Sequence, residues 1–431
     1  MISRYFRDKG CKAGAYKAYE EMKLDAATIL DTVLKKYQGS NDFNGWPAHA
    51  IQSPAEKSAL VELIEAGLVD LINDEETNNP HIRLLPARPI SDQVKQVSNK
   101  GLKFGCLFPT RKALVEVAGV SPDPAAPYTA ALKLGAPQLE FRTFRLEVLE
   151  RYRNDPTFRY LVDDTSGTIY RDSKDKESHE YAQFGFAFDE NVNRYVAAFL
   201  RYLHDMSAEQ QAYWSGFELQ GDFKLHPDYC RSSILGEWPE GVSVFDAILE
   251  EKKIINIMSE RMGKPRLFKS DYEAYRRPDH FGFLIRPTKK EFSDFCLRLD
   301  QLMSDDMNYK FFEGDIEVYE YGKMDSGEQI KRMKGTISLL MEWLAAKLKP
   351  KDEKDMVPIN EGFRAVRKAR QKPAHKIEDN VFDEAYYQQQ RELMIAAYGA
   401  VRFLRQVFAN HPACKEVEVP KWLFEGHIWT Q

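Results

Sequence analysis

The stretch "RKARQKPAHK", Arg367 to Lys376, packs five positive charges and a histidine around one proline. It separates two segments of helical periodicity, so its reading decides the architecture of the C-terminal part. Upstream lies "EGFRAVRKARQ". Downstream, a pattern running to Phe408 sets Tyr386, Leu393, Ala397, Leu404 and Phe408 at steps of seven and four, the spacing that stacks side chains on one helix face. Proline is tolerated at a first helical position, where its missing N–H would be unbonded anyway. Pro373 is therefore expected to open the last helix and to put His375 in its first turn. Asn410-His411-Pro412 stops that helix, and His411 reads as a cap or loop residue. Before the motif, "GEQIKRMKGTISLLMEWLAAKL" aligns Ile330, Ile337, Leu340, Met341, Leu344 and Leu348, and the charged loop "KPKDEKDMVPIN" follows. Residues 326–431 are thus expected to form an all-α bundle.

The chain has 431 residues, which suggests two or three domains of ordinary size. With 43% hydrophobic and 12% aromatic residues it can bury real cores. Its 61 basic and 66 acidic residues give a net charge of -5, so no global field attracts nucleic acid and any anion site must be local. No apolar run approaches a membrane span, and the start "MISRYFRDKG" lacks a signal peptide's apolar stretch; a cytoplasmic protein that does not contact membranes is expected. Five scattered cysteines with no Cys-x-x-Cys spacing argue against a disulfide framework and against zinc. No metal site and no cofactor is expected from the motifs, since Gly-rich phosphate loops and His or Cys ligand spacings are missing from the sequence.

Toward the N-terminus, "DAATILDTVLKKY" and "AEKSALVELIEAGLVDLI" are amphipathic at helical spacing, with Ile29, Val33 and Leu34 on one face and Leu60, Leu63 and Ile64 on another. Val69 to Ile72 and Ile82 to Leu85 are β-prone, and the polar tip between them suggests a hairpin. Helices followed by a strand pair resemble a winged helix over residues 1–90. The resemblance implies binding of DNA or of a protein. The tip "NDEETNNPH" carries three acids and no Lys or Arg, which repels phosphate and favours protein. Residues 91–325 mix strand-like runs such as "YAQFGFAF" with helical ones such as "NRYVAAFLRYL" and "KEFSDFCLRLDQLM". They read as a mixed α+β domain for sensing or scaffolding, open to a protein partner or trigger. The acids Asp305-Asp306 read as loop residues.

Between Lys331 and Lys376 thirteen Lys/Arg face five acids. This is the local positive patch that the global charge conceals. Such a patch is either a solvated face or a seat for a polyanion. Arg370-Gln371-Lys372-Pro373-Ala374-His375 has an Arg-x4-His form that resembles the HEPN superfamily of helical bundles, many of them metal-independent endoribonucleases. The resemblance covers about the last hundred residues. It implies a HEPN-like bundle in which Arg370 and His375 are the catalytic pair, joined across a homodimer interface formed by the C-terminal helices, with RNA as substrate. Gln371 stands where the family more often has Asn, Asp or His. Abortive-infection and toxin proteins carry similar stretches, which implies a toxin or an antiviral-defence role.

Physical chemistry gives the pair its roles. A histidine at a helix N-terminus is held neutral by the dipole and can take the proton of an RNA 2′-OH. Arg370 is permanently charged and forked, suited to the extra negative charge of the phosphorane. The expected products are a 2′,3′-cyclic phosphate and a 5′-OH. Arg367, Lys368, Lys372 and Lys376 would hold neighbouring phosphates, and Gln371 would orient the pair. The fold class expected is thus α+β multidomain: a winged-helix-like module (1–90), a central α+β domain (91–325) and a HEPN-like bundle (326–431). The rival expectation is a regulator whose bundle only dimerises, and a third is an interaction scaffold.

Overall fold

The computed structural model describes residues 25–73, 79, 81–84, 86–98, 100–121, 123–171, 181–238, 241–272, 276–278, 281–323, 329–347, 356–371 and 379–431. The protein is mixed α+β with a helical C-terminal region. Among the described residues no helix is long and apolar enough to cross a membrane. The chain divides into two compact units, one of residues 1–142, 180–182 and 198–218, the other of residues 143–179, 183–197 and 219–431. These boundaries differ from the division at 90 and 325 read from sequence, and the strand and helix pairings below give the reason.

In the first unit, α1 (Ala26–Gly39) starts where the Asp25 carboxylate accepts the Thr28 N–H at 2.8 Å. A short strand, β1 (Trp46–Pro47), leads to α2 (Pro54–Glu65). Its start is a capping box: Ser53 Oγ accepts the Glu56 N–H at 3.2 Å, and the Glu56 carboxylate accepts the Ser53 N–H at 2.9 Å. β2 (Val69–Asn73), α3 (Ile90–Ser98) and β3 (Gly105–Pro109) complete a three-stranded antiparallel sheet of order β1-β3-β2. The core joins Ile29, Val33, Leu60 and Leu63 of the helices to Leu71 and Leu107 of the sheet.

The hairpin expected between 69–72 and 82–85 does not form. β2 pairs instead with β3, Val69 opposite Pro109 and Leu71 opposite Leu107. "GCLFP" is buried at every position, so it removes more apolar surface as a central strand than "IRLL" would. Residues 82–84 run without regular structure, and the Arg83 N–H donates to Gln138 at 2.8 Å. Leu85 and the tip residues 74–78 and 80 lie outside the described residues. Pairing across the boundary at 90 draws residues 91–142 into this unit, which also holds α4 (Pro127–Lys133), α5 (Leu200–His204) and α6 (Ala208–Ser215).

In the second unit, β4 (Phe158–Val162), β5 (Ser166–Arg171) and the greater part of β6 (Tyr181–Phe188) and β7 (Arg194–Phe199) follow one another in a sheet, and β8 (Lys224–Leu225) pairs with the end of β6. "YAQFGFAF" is the expected strand, but "NRYVAAFLRYL", read as one helix, is strand to Phe199 and helix only from Leu200. Val196 and Ala197 pair with Phe186 and Gly185 in the ladder. A β-branched, aromatic-rich run beside a buried strand is better satisfied by that ladder than by a helix.

The helices of this unit are α7 (Val244–Arg261), α8 (Lys289–Asp300), α9 (Thr336–Lys347), α10 (Val357–Gln371) and α11 (Ala385–Ala409). α8 runs directly into a π-helical turn, Gln301–Asp305. The segment from Gly327 is not wholly helical: Gln329–Met333 is a strand, β10, in a hairpin with β9 (Tyr319–Lys323), and Lys331 Nζ lies 3.8 Å from the centroid of the Tyr319 ring. Gly335 interrupts the pattern just before α9 starts at Thr336.

α11 packs on both α10 and α7, so the C-terminal helices share a core with part of the expected central domain. Two features hold them. Arg405 of α11 donates to Glu251 of α7 at 2.6 Å, the carboxylate having no exposure. Gly362 of α10 lies so close to α11 that a Cβ there would sit 2.5 Å from Ala400 Cβ and 2.8 Å from the Ala396 carbonyl oxygen. A Gly362→Ala substitution is therefore expected to force the helices apart and to cost about 1–3 kcal/mol of stability in urea unfolding, despite alanine's better helix propensity.

His226 is 1% exposed, and its Nδ1 accepts the Asp228 N–H at 3.2 Å. Burial first, then the nearby Arg194 charge, push its pKa down from 6.5 to about 4, against the opposing pull of Asp228 and Asp164. The unfolded chain binds a proton at this residue before the folded one does. Its contribution to stability is complete above about pH 6.5 and lost as pH falls toward 4, up to roughly 3 kcal/mol. Urea unfolding at pH 7 and pH 4.5 should show a smaller loss on acidification in His226→Gln than in the wild type.

Candidate functional site

The expected site residues fall on both sides of a boundary. Arg367, Lys368, Arg370 and Gln371 belong to the last turn and a half of α10. Their charges suit the negative end of its dipole. Lys372, His375 and Lys376, with Pro373, lie outside the described residues. The last long helix does not open at Pro373: it begins at Ala385, whose N–H donates to Asp383 at 2.9 Å. Phe382 is held before it in a bridge to Thr288. The helix-dipole argument for a neutral His375 therefore does not carry over.

The arginines are held by acids that the sequence reading left as loop residues or did not single out. Arg370 Nη1 donates to Asp300 at 2.6 Å and to Asp305 at 2.7 Å. Arg367 reaches the same two carboxylates, each at 3.1 Å. Asp300 has no solvent exposure at the end of α8, and the π-helical turn brings Asp305 beside it. The bond to Asp300 raises the Arg370 pKa, burial opposes it, and the bond to Asp305 and the charges of both carboxylates add to the rise. Arg370 Nε and Nη2 make no hydrogen bond among the described residues, and its side chain keeps 33% exposure. The second acid of the pair, Asp306, accepts from the buried Lys252 at 3.0 Å. Both acids are thus partners of cations rather than loop surface.

Beside this network lies a groove of about 760 Å³ between α9 and α10. One wall is the N-terminal turn of α9, Gly335 to Ser338, whose first amides have no partner within the helix. The other is cationic: Arg364, Arg367 and Lys368, with Lys334 across from them and Asp305 as the one carboxylate of the lining. Lys334 pairs with Glu342 at 2.6 Å. Arg364 donates to the Asn360 side chain at 2.7 Å, and neither it nor Lys368 makes an ion pair among the described residues. Helix amides and cations facing one groove form a seat for an oxyanion. Arg370 stands behind this wall, on Asp305.

Arg364 and Lys334 were counted in the basic block but not singled out. The signal that could have found them is positional: Arg364, Arg367, Lys368 and Gln371 recur at three- and four-residue steps on one face of α10. His411 is a cap, its Nδ1 accepting the Ala413 N–H at 3.3 Å. Arg405 serves the pair with Glu251. Among the described residues no cluster of His, Cys, Asp or Glu is arranged to hold a metal ion.

No family model matches this chain, and neither curated proteins nor solved structures give a match.

The network sets a stability prediction. Replacing both Arg367 and Arg370 by Met leaves the Asp300 carboxylate buried without a cation, at a cost of about 3–5 kcal/mol. Urea unfolding at pH 7 should show this deficit against the wild type.

Proposed function

We propose that the C-terminal helical region of the second unit binds RNA by its phosphates and that the protein is a HEPN-type endoribonuclease. Cleavage proceeds by attack of a 2′-OH on the adjacent phosphate and leaves a 2′,3′-cyclic phosphate. His375 takes the proton and Arg370 stabilises the phosphorane. The observation that carries the reading is the groove in which Arg364, Arg367 and Lys368 face the N-terminal amides of α9, one helical turn from Arg370 in the sequence of α10. A phosphodiester is the anion that repeats at the spacing of such a surface, and neutralising it in a protein of net charge -5 requires this kind of local concentration. Arg370 offers Nε and Nη2 while Nη1 stays on Asp300 and Asp305, so it can present a donor pair without leaving its clamp.

The protein acts as a homodimer through its C-terminal helices in this proposal, in a toxin or antiviral-defence setting. Residues 1–90, whose helices followed by β-prone runs resemble a winged helix, recognise a protein rather than DNA in the same proposal, because the tip "NDEETNNPH" is acidic.

One observation favours a second reading. The charges of Arg367 and Arg370 are matched by those of Asp300 and Asp305, which is what a purely structural arginine pair would show. In that reading the groove binds RNA and no bond is cut.

Three variants test the readings. Charge reversal of the groove, Arg364→Glu with Lys368→Glu, should weaken binding of single-stranded RNA at least tenfold and lower the salt dependence of binding by about two phosphate contacts, measured by fluorescence anisotropy. His375→Ala and Arg370→Lys should each retain binding and reduce cleavage ~10²-fold, with cyclic phosphate ends on the wild-type product. Binding by the wild type with no cleavage under any condition would select the second reading.

A further inference from the structure

On the opposite flank of α10 from the basic groove is a second cavity, of about 610 Å³, among α8, α10 and α11. Its size is that of a site for a small planar ligand. Phe292 of α8 and Tyr386 of α11 stack on each other with centroids 5.2 Å apart and planes 28° apart, and both line the cavity. Across from α8 and α11, α10 contributes Ala365 and Ala369, residues too small to fill the space. Leu393 and Ala396 add apolar surface, and the polar groups of the lining are Lys289, Ser293, Lys368, Gln389 and Glu392. Lys368 lines both this cavity and the basic groove.

We infer that this cavity receives one unstacked base of the RNA strand whose phosphates lie in the groove, and that it favours a base carrying an exocyclic amino group. The inference rests on the RNA reading above. A flat aromatic wall stacks with any base. A shared lysine keeps a phosphate at the point where the strand passes from groove to cavity. The Gln389 amide matches the donor and acceptor edge of adenine, and the Glu392 carboxylate accepts from an amino group. Uracil flanks its single imino donor with two carbonyl oxygens, which face that carboxylate unfavourably.

The test is anisotropy with three fluorescein-labelled single-stranded RNA decamers: oligo(A), oligo(U), and a strand in which every residue is abasic. The wild type should bind oligo(A) roughly tenfold tighter than the abasic strand, the scale of one base stacked on an aromatic side chain. Tyr386→Leu should reduce oligo(A) to the abasic level and leave the abasic affinity unchanged. Glu392 is exposed, so Glu392→Gln should fold normally, and it should narrow the gap between oligo(A) and oligo(U). Equal wild-type affinity for oligo(A) and the abasic strand, both lost on charge reversal of Arg364 and Lys368, would overturn the base pocket and leave the groove standing. Binding of every strand unaffected by that charge reversal would overturn both.

Discussion

Asp300 carries a carboxylate with no solvent exposure, and its charge is tolerated there because Arg367 and Arg370 reach it from α10. A buried carboxylate without cations would cost several kcal/mol or take up a proton. The pairing therefore fixes where the end of α10 lies against the end of α8. It also needs Asp305, which a regular α-helical continuation of α8 would carry round to a different direction. The π-helical turn at 301–305 keeps both carboxylates on one side. With α10 set in this way, Arg364 and Lys368 are presented to the groove on one flank, and Lys368 also lines the cavity on the other.

The same helix is fixed along its length by contact rather than charge. Gly362 brings α10 against Ala396 and Ala400 of α11, and α11 is fixed on α7 through Arg405 and Glu251. Burial raises the Glu251 pKa, and the hydrogen bond and charge of Arg405 oppose that rise. The fit of small residues sets the distance between helices and the buried pair sets their register, since a guanidinium and a carboxylate in a dry site tolerate little displacement. Rigid positioning of this kind is what a site on α10 requires, because its side chains are long and their anchor points decide what they reach.

Electrostatics in the second unit follows a pattern of cations disposed in two ways. Some are matched closely: Lys252 by Asp306, Arg277 by Asp164 and Asp246, Lys264 and Lys347 by Asp315. Burial alone would raise the Asp315 pKa; bonds from Lys264, Lys347 and Trp343 hold it well below the usual carboxylate range. Others, Arg364 and Lys368, stand exposed on α10 without a carboxylate. Matched cations hold the fold and leave little field outside it. The unmatched ones leave a local positive field on α10, and a count over the sequence does not separate the two groups.

Local signals were legible where a local cause decides the structure. "DAATILDTVLKKY" and "AEKSALVELIEAGLVDLI" read as helices by their apolar spacing, and "YAQFGFAF" is a strand by its β-prone run. The basic block, the helical character of 361–371 and the place of His411 as a cap or loop residue beyond the helix were read from residues alone. What the sequence could not express is which distant segment each surface meets. Val69 to Ile72 took "GCLFP" as partner in place of the nearer "IRLL", because burial on both faces outweighs proximity in the chain. "NRYVAAFLRYL" became a strand because a buried neighbour was there to pair with it. Gln329–Met333 became a strand by pairing with Tyr319–Lys323, and the helix expected at Pro373 starts at Ala385 because Phe382 is held by Thr288. The charge of Arg370 was written in the sequence, but its engagement by Asp300 and Asp305, sixty-five to seventy residues earlier in the chain, arises only when tertiary packing removes water from between them.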